Sequence, residues 1–302
     1  MLNTDNMSLL SITIDYGPFG FLDEYEPHFI PNHSDDEGRY SYQNQPAVAL
    51  WNLSRLADAL GPLVNDEGAA AIRQVLQDYA DAYKSRYLSE FTRKLGLTEV
   101  LDGDDALIKL LLDMMEVRRG DFTQTFRQLG QIDVFQTKDF EPFWALNLLS
   151  GHRNFSRFFD MYRERLTRSQ VDDVQRRSAM NAVNPQYVLR NWMAEAAIRQ
   201  AESDDFDLTR VLLRVLRNPY QVDAEAEKIG FSKPPPSWSK SLRVSCSSWS
   251  TWSNMNTLKI WRIYTWYPRF SFLALMFHLI FLSATSLNSS LNKYGANEMK
   301  PV

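Results

Sequence analysis

Asn3-Thr4-Asp5-Asn6-Met7-Ser8, followed across Leu9-Leu10-Ser11-Ile12-Thr13-Ile14 by Asp15-Tyr16-Gly17-Pro18-Phe19-Gly20-Phe21, is the stretch that decides the reading of this chain. It sets a carboxylate, a carboxamide and a second carboxylate within eleven residues. Leu9 to Ile14 is rich in β-branched side chains and predicts a short buried strand, with Asp5 and Asn6 in the polar loop before it and Asp15 at its end. Carboxamide and carboxylate oxygens are hard ligands. They suit Mg2+ or Mn2+, which keep several waters and bind through one or two protein groups plus substrate phosphates. The competing reading of the same residues is a polar loop followed by a Gly-Pro turn.

An Asn-bearing loop, a strand and an Asp-aromatic-Gly turn in that order is also the arrangement by which protein kinases hold their metals. A closer resemblance runs down the chain. Besides the opening motif through Leu22-Asp23, it is carried by Asn32-His33-Ser34-Asp35 before Gly38-Arg39-Tyr40, and by Gln45-Pro46 and Trp51-Asn52-Leu53. It continues through Asn184-Pro185, Val188-Leu189-Arg190-Asn191, Leu216-Arg217-Asn218-Pro219-Tyr220, Pro235-Pro236-Ser237-Trp238 and Ser245-Cys246-Ser247-Ser248. In these motifs residues 2–248 resemble the selenoprotein O family, kinase-like proteins that transfer AMP from ATP to protein hydroxyls.

The resemblance implies that Asp5 is the proton acceptor, Asn6 a Mg2+ ligand, and Asp15 a Mg2+ ligand that also meets the nucleotide phosphates. It implies ATP as nucleotide substrate, with UTP left open, Mg2+ or Mn2+ as cofactor, and proteins offering Ser, Thr or Tyr hydroxyls as partners. An Asp beside a metal can take the proton of an attacking hydroxyl while the cation offsets phosphate charge. In ordinary protein kinases the base lies five residues before the Asn, whereas Asp5 immediately precedes Asn6; the difference fits transfer of AMP rather than phosphate. Family members carry a small lobe upstream, with a nucleotide-covering loop, a phosphate-contacting Lys and its Glu partner. No residue before Asp5 matches these, so the expectation is a fragment inactive alone, with a non-catalytic binding or regulatory module as the alternative.

The chain has 302 residues, 44% of them hydrophobic, enough for a buried core. A formal charge of −4 argues against a nucleic-acid partner. Residues 249–302 hold five Lys or Arg and one acid, which leaves the first 248 residues at −8. A single cysteine, Cys246, excludes an internal disulfide framework and suits a reducing compartment. No secretory signal precedes the motif, and the resemblance implies mitochondria for a eukaryotic source and cytoplasm for a bacterial one. Cys246 stands where the family has a redox-active cysteine. With Ser247 and Ser248 following, it has no intramolecular pair, and either an interchain disulfide, a modification or an idle thiol remains open.

Residues 22–46, punctuated by Pro27, Pro31, Gly38 and Pro46, read as an ordered excursion corresponding to an activation segment. His28, His33, Asp35, Asp36 and Glu37 read as a solvated loop rather than a second metal site. From Ala47 the pattern is helical, ending at Gly61-Pro62. Ala69 to Leu95 is amphipathic, with Ile72, Val75, Leu76, Tyr79, Tyr83 and Leu88 toward a core. Helices are predicted over Asp104 to Arg118, with Asp104 as cap, and over Asp121 to Leu129, Glu141 to Ser150 and Phe155 to Leu166. Further helices are predicted over Tyr187 to Glu202, entered at Asn184-Pro185, and from Ser203-Asp204-Asp205 through Leu216, the last of the globular part. Arg190 and Asn191 are predicted anchors of a buried polar network, and the Arg119-Gly120-Asp121 triplet is taken as chance.

The expectation is a mainly α fold: a protein-kinase-like large lobe over 1–217 with a short β element near its start and no small lobe, and a Pro- and Ser-bearing strap over 218–248. Pro234-Pro235-Pro236 favours polyproline II, with Trp238 to pin it. Residues 249–302 match nothing in the family. Within them Phe270 to Leu287 is an uncharged, apolar run of 18 residues flanked by Trp, Tyr and Arg, at the lower edge of a membrane span. A tail from an incomplete gene model or alternative transcript, a membrane or partner helix, and an ordinary packed helix are the three readings.

Overall fold

The computed structural model describes residues 2–8 and 20–242. Among these the architecture is mainly α, as expected. The β element over Leu9 to Ile14 lies outside the described residues, as do Cys246 and the run 270–287. Within the described residues the one β feature is an isolated antiparallel bridge between Glu24 and Asp121. No helix there is long and apolar enough to cross a membrane.

Helix α1 (Gln45–Leu60) carries Pro46 in its first turn, where the missing N–H costs nothing, and passes through a 3-10 turn at Gly61–Leu63 into α2 (Asp66–Lys94). Asn65 caps α2 by accepting the Gly68 N–H at 2.9 Å. Acids in the first turn of α2 and Arg93 and Lys94 in the last complement the helix dipole. The predicted core face of α2 holds only toward its C-terminus, where Phe91 is buried. Val75 is 66% exposed and Tyr83 is exposed too.

Gly96 ends α2 at φ +70°, and a Cβ there would lie 2.6 Å from Arg176 Cγ, so the site needs glycine on both counts. Next comes α3 (Asp104–Arg118). Asp104 is its first residue, not its cap: the cap position is Gly103, at φ +94°. The Asp104 carboxylate instead accepts the Leu101 N–H at 2.9 Å and forms a buried ion pair with Arg165.

Helix α4 (Phe122–Leu129) is buried from Thr123 to Leu129, Arg127 and both glutamines included. Most of its polar groups are satisfied, as buried polar groups usually are, the Thr125 hydroxyl being the exception among the described residues. Gln128 Oε1 accepts the Ala145 N–H at 2.8 Å in α5 (Trp144–Ser150). Arg127 gives to Gln186 Oε1 at 2.9 Å and to the carbonyls of Asn181 and Asn184. Around α4 and α5 pack α3, α6 (Phe155–Ser169) and α7 (Asp173–Val183), closing the first core over Leu107, Met114, Phe126, Phe158 and Tyr162.

The sequence reading missed α7. Its buried face is made by Arg176 and Met180, so no apolar stripe marks it. The predicted helix over Tyr187 to Glu202 is also corrected: Asn184 is the C-cap of α7, and α8 begins only at Asn191 (Asn191–Ala201). Between them the chain is held out of helix, with the Gln186 and Tyr187 N–H groups both donating to Pro219 O, at 2.7 and 3.1 Å. Helices α8, α9 (Asp207–Arg217) and α10 (Ala224–Ile229) form a second core with Tyr187, Trp192 and Phe231. The helix predicted to close the globular part is therefore followed by another, capped by Asp223. Trp238 is partly exposed, with Arg199 5.1 Å above its ring.

Candidate functional site

Thr4–Asn6 forms one 3-10 turn, in which the Asn6 N–H donates to Asn3 O at 3.0 Å and the Met7 N–H to Thr4 O at 3.4 Å. Asp5 and Asn6 are the second and third residues of that turn. The Asn6 side chain is fixed: its Nδ2 donates to Asn3 Oδ1 at 2.6 Å. The oxygen of a carboxamide is the end a hard cation would take. Asp15, the third expected site residue, lies outside the described residues. The structure thus brings Asp5 and Asn6 together in one turn.

Two side chains of α1 reach this turn. Gln45 Oε1 accepts the Leu2 N–H at 3.2 Å, and Asn52 Nδ2 donates to Leu2 O at 2.6 Å and to Met7 Sδ at 2.9 Å. Neither was singled out as a site residue from the sequence, although both lie in the family-like motifs. Their spacing of seven puts them on one face of α1 two turns apart, which is the signal that could have found them.

Beyond Gly20 the chain is anchored by an ion triad in which Arg190 and Asp121 are buried and Asp23 is partly exposed. Arg190 is 1% exposed; its Nη1 meets Asp121 Oδ2 at 2.6 Å and Asp23 Oδ1 at 2.8 Å, and its Nη2 meets Asp121 Oδ1 at 3.0 Å. Burial alone would lower the guanidinium, but attraction and hydrogen bonds to Asp121 and then Asp23 outweigh it and raise it. Burial, with the Asp121 and Glu24 charges nearby, holds the Asp23 carboxyl above its usual range despite the pull of Arg190. Around the triad the Phe122 N–H donates to Asp23 O and the Tyr25 N–H to Gly120 O. Arg190 is the anchor the sequence suggested; Asn191 opens α8 with its Nδ2 near Gly20.

Asp121, set aside in the Arg-Gly-Asp triplet, caps α4 by accepting the Gln124 N–H at 2.7 Å. Asp121 followed three residues later by Gln124 is a capping-box pattern that marks it from sequence.

The acidic and histidine residues of 22–46 behave as a structured loop. Asp35 accepts the Arg39 and Tyr40 N–H groups, and His28 Nδ1 lies 2.9 Å from Gln43 Nε2. No cluster of three or more His, Cys, Asp or Glu suited to a metal occurs among the described residues.

The sequence model described as "Protein adenylyltransferase SelO" matches residues 1–217, and the chain belongs to this family. Among curated proteins it is similar to the "Protein nucleotidyltransferase YdiU" of Enterobacter sp. (strain 638), 44% identical over 248 residues, which are 82% of this chain and 49% of that one. The proteins of the same name from Myxococcus xanthus (strain DK1622) and Salmonella arizonae are 42% and 43% identical over the same shares. The chain spans about half the length of these relatives.

Proposed function

We propose that residues 1–217 are the kinase-like large lobe of a protein adenylyltransferase and carry its metal-binding loop. Asp5 is the proton acceptor, Asn6 and Asp15 hold Mg2+ or Mn2+, and Asp15 also faces the phosphates of ATP. The observation that carries this reading is the Thr4–Asn6 turn, which sets Asp5 and Asn6 side by side and orients the Asn6 carboxamide through its bond to Asn3. The donor types fit the ion: a carboxamide and a carboxylate leave room for the waters and phosphate oxygens that Mg2+ requires. Bound there, the cation would offset charge on the phosphates.

The reaction proposed is attack by a Ser, Thr or Tyr hydroxyl oxygen of a protein on the α-phosphorus of ATP. A phosphorus–oxygen bond to AMP forms, the bond to the β-phosphate breaks, and pyrophosphate leaves. Asp5 takes the hydroxyl proton. Positioning supplies most of such catalysis, so the turn must be held still.

The test is a chimera in which residues 1–248 replace the matching half of the Enterobacter relative. Label from ATP carrying radiophosphorus at the α position is expected to appear on protein, and to vanish in Asp5→Ala and Asp15→Ala. Label from the γ position instead would mean phosphate transfer, and undiminished α label in Asp15→Ala would sink the metal assignment.

A further inference from the structure

Gln45 and Asn52 of α1 bond to residues on either side of the Thr4–Asn6 turn. Their carboxamides do not act alike. Gln45 uses both ends: Nε2 donates to Tyr40 O at 2.6 Å and to Ser41 O at 3.2 Å, while Oε1 takes the Leu2 N–H. It therefore ties the loop before α1 and the segment before the turn to one point. Asn52 uses its nitrogen alone, bridging Leu2 O and Met7 Sδ, the two flanks of the turn. Asn52 is 6% exposed, and its Oδ1 is buried without a hydrogen-bond partner among the described residues.

That orphan oxygen is informative. A buried, unsatisfied acceptor destabilises a fold; a leucine of nearly the same shape would avoid that cost but would leave the half-buried Leu2 carbonyl without its Asn52 donor. The orphan oxygen itself therefore does not explain an asparagine at this position. What the asparagine does provide is a donor that reaches both sides of the turn at once. With Leu2 gripped at its N–H and its carbonyl, and Met7 gripped at its sulfur, the 3-10 turn is fixed from both ends and the Asn6 amide is oriented by Asn3 within it.

We infer that Gln45 and Asn52 are positioning residues for the metal: α1 sets where the Asn6 oxygen stands by holding Leu2 and Met7, and metal affinity depends on this grip although neither residue touches the ion. The inference rests on the metal reading above.

The experiment uses the 302-residue chain, with Mn2+ as probe followed by electron paramagnetic resonance, amide hydrogen exchange over residues 2–8, and the unfolding midpoint. In Asn52→Leu, Mn2+ affinity is expected to fall at least tenfold and exchange over 2–8 to quicken, while the unfolding midpoint is nearly unchanged, the lost Leu2 bond and the removed orphan oxygen offsetting each other. A residue with a merely structural role would lower the midpoint instead. Unchanged affinity and unchanged exchange in Asn52→Leu overturn the inference. If the parent chain binds no Mn2+, the metal reading falls, and exchange over 2–8 then decides the grip alone: faster supports it, unchanged refutes it. Should Asn52→Leu not fold, Gln45→Met, which loses the Leu2 N–H acceptor, is read by the same criteria.

Discussion

The body built around α4 and the turn at Thr4–Asn6 use the same chemical device, a polar side chain bonded to backbone, at very different densities. In the body each buried guanidinium is held several times over. Arg176 gives to Asp173, to the carbonyls of Leu129 and Ile132, and to the Tyr162 hydroxyl, and Arg190 meets two carboxylates. The turn is tied to that body through two carboxamides of α1. Redundancy gives the body its single structure, and the Gln45 and Asn52 bonds to Leu2 and Met7 are ones whose loss would loosen the turn without unfolding the rest.

Breaking the body should have the largest effect. Arg190→Ala leaves Asp121 and Asp23 facing each other with no cation, and removing one partner of a buried pair costs about 3–5 kcal/mol. The expected outcome is a chain that unfolds at much lower denaturant, monitored by circular dichroism. Gly96→Ala combines a left-handed φ with a Cβ 2.6 Å from Arg176 Cγ and 2.7 Å from Met180 Cγ. A loss of about 2–3 kcal/mol is expected, read from the same unfolding curves.

Lys94 sharpens the comparison through pH. Its ammonium lies 3.4 Å from Asn184 Oδ1 and over the rings of Phe122 and Phe126, and burial lowers it to about 8 although Glu90 acts the other way. The unfolded chain keeps this proton up to about 10.4, so between pH 8 and pH 10 the unfolded state binds more protons and stability rises with pH. Against Lys94→Met, which lacks the group, the wild type should gain roughly 1–3 kcal/mol from pH 7 to pH 10 in urea unfolding. A parallel pair of curves would show that the ammonium is well solvated. At the surface, Trp238→Ala loses a ring contact with the exposed Arg199 and should cost less than about 1 kcal/mol in the same assay.

These differences also explain what could be read from the sequence. The helices α1 to α4, α6 and α9 carry apolar spacing or punctuation by Pro, Gly and Asp, and their ends fall close to where the pattern puts them. Helix α7 was hidden because arginine makes its buried face, and Tyr187 to Arg190 read as helix because their apolar residues are buried in extended chain, a fact fixed by Pro219 more than thirty residues away. Asp104 looked like a cap and is instead the buried partner of Arg165, a pairing that local sequence does not reveal. At the site, the adjacency of Asp5 and Asn6 was plain from the chain. The hold of Gln45 and Asn52 on Leu2 was not, since it joins residues 43 and 50 apart.

The central claim is that the Thr4–Asn6 turn presents Asn6 to a divalent cation. Titrating Mn2+ into the wild-type chain and into Asn6→Ala, with free Mn2+ read by electron paramagnetic resonance, tests it most directly. The account predicts a binding site in the wild type that weakens at least tenfold in Asn6→Ala at an unchanged unfolding midpoint. Equal Mn2+ binding by the two proteins would contradict it.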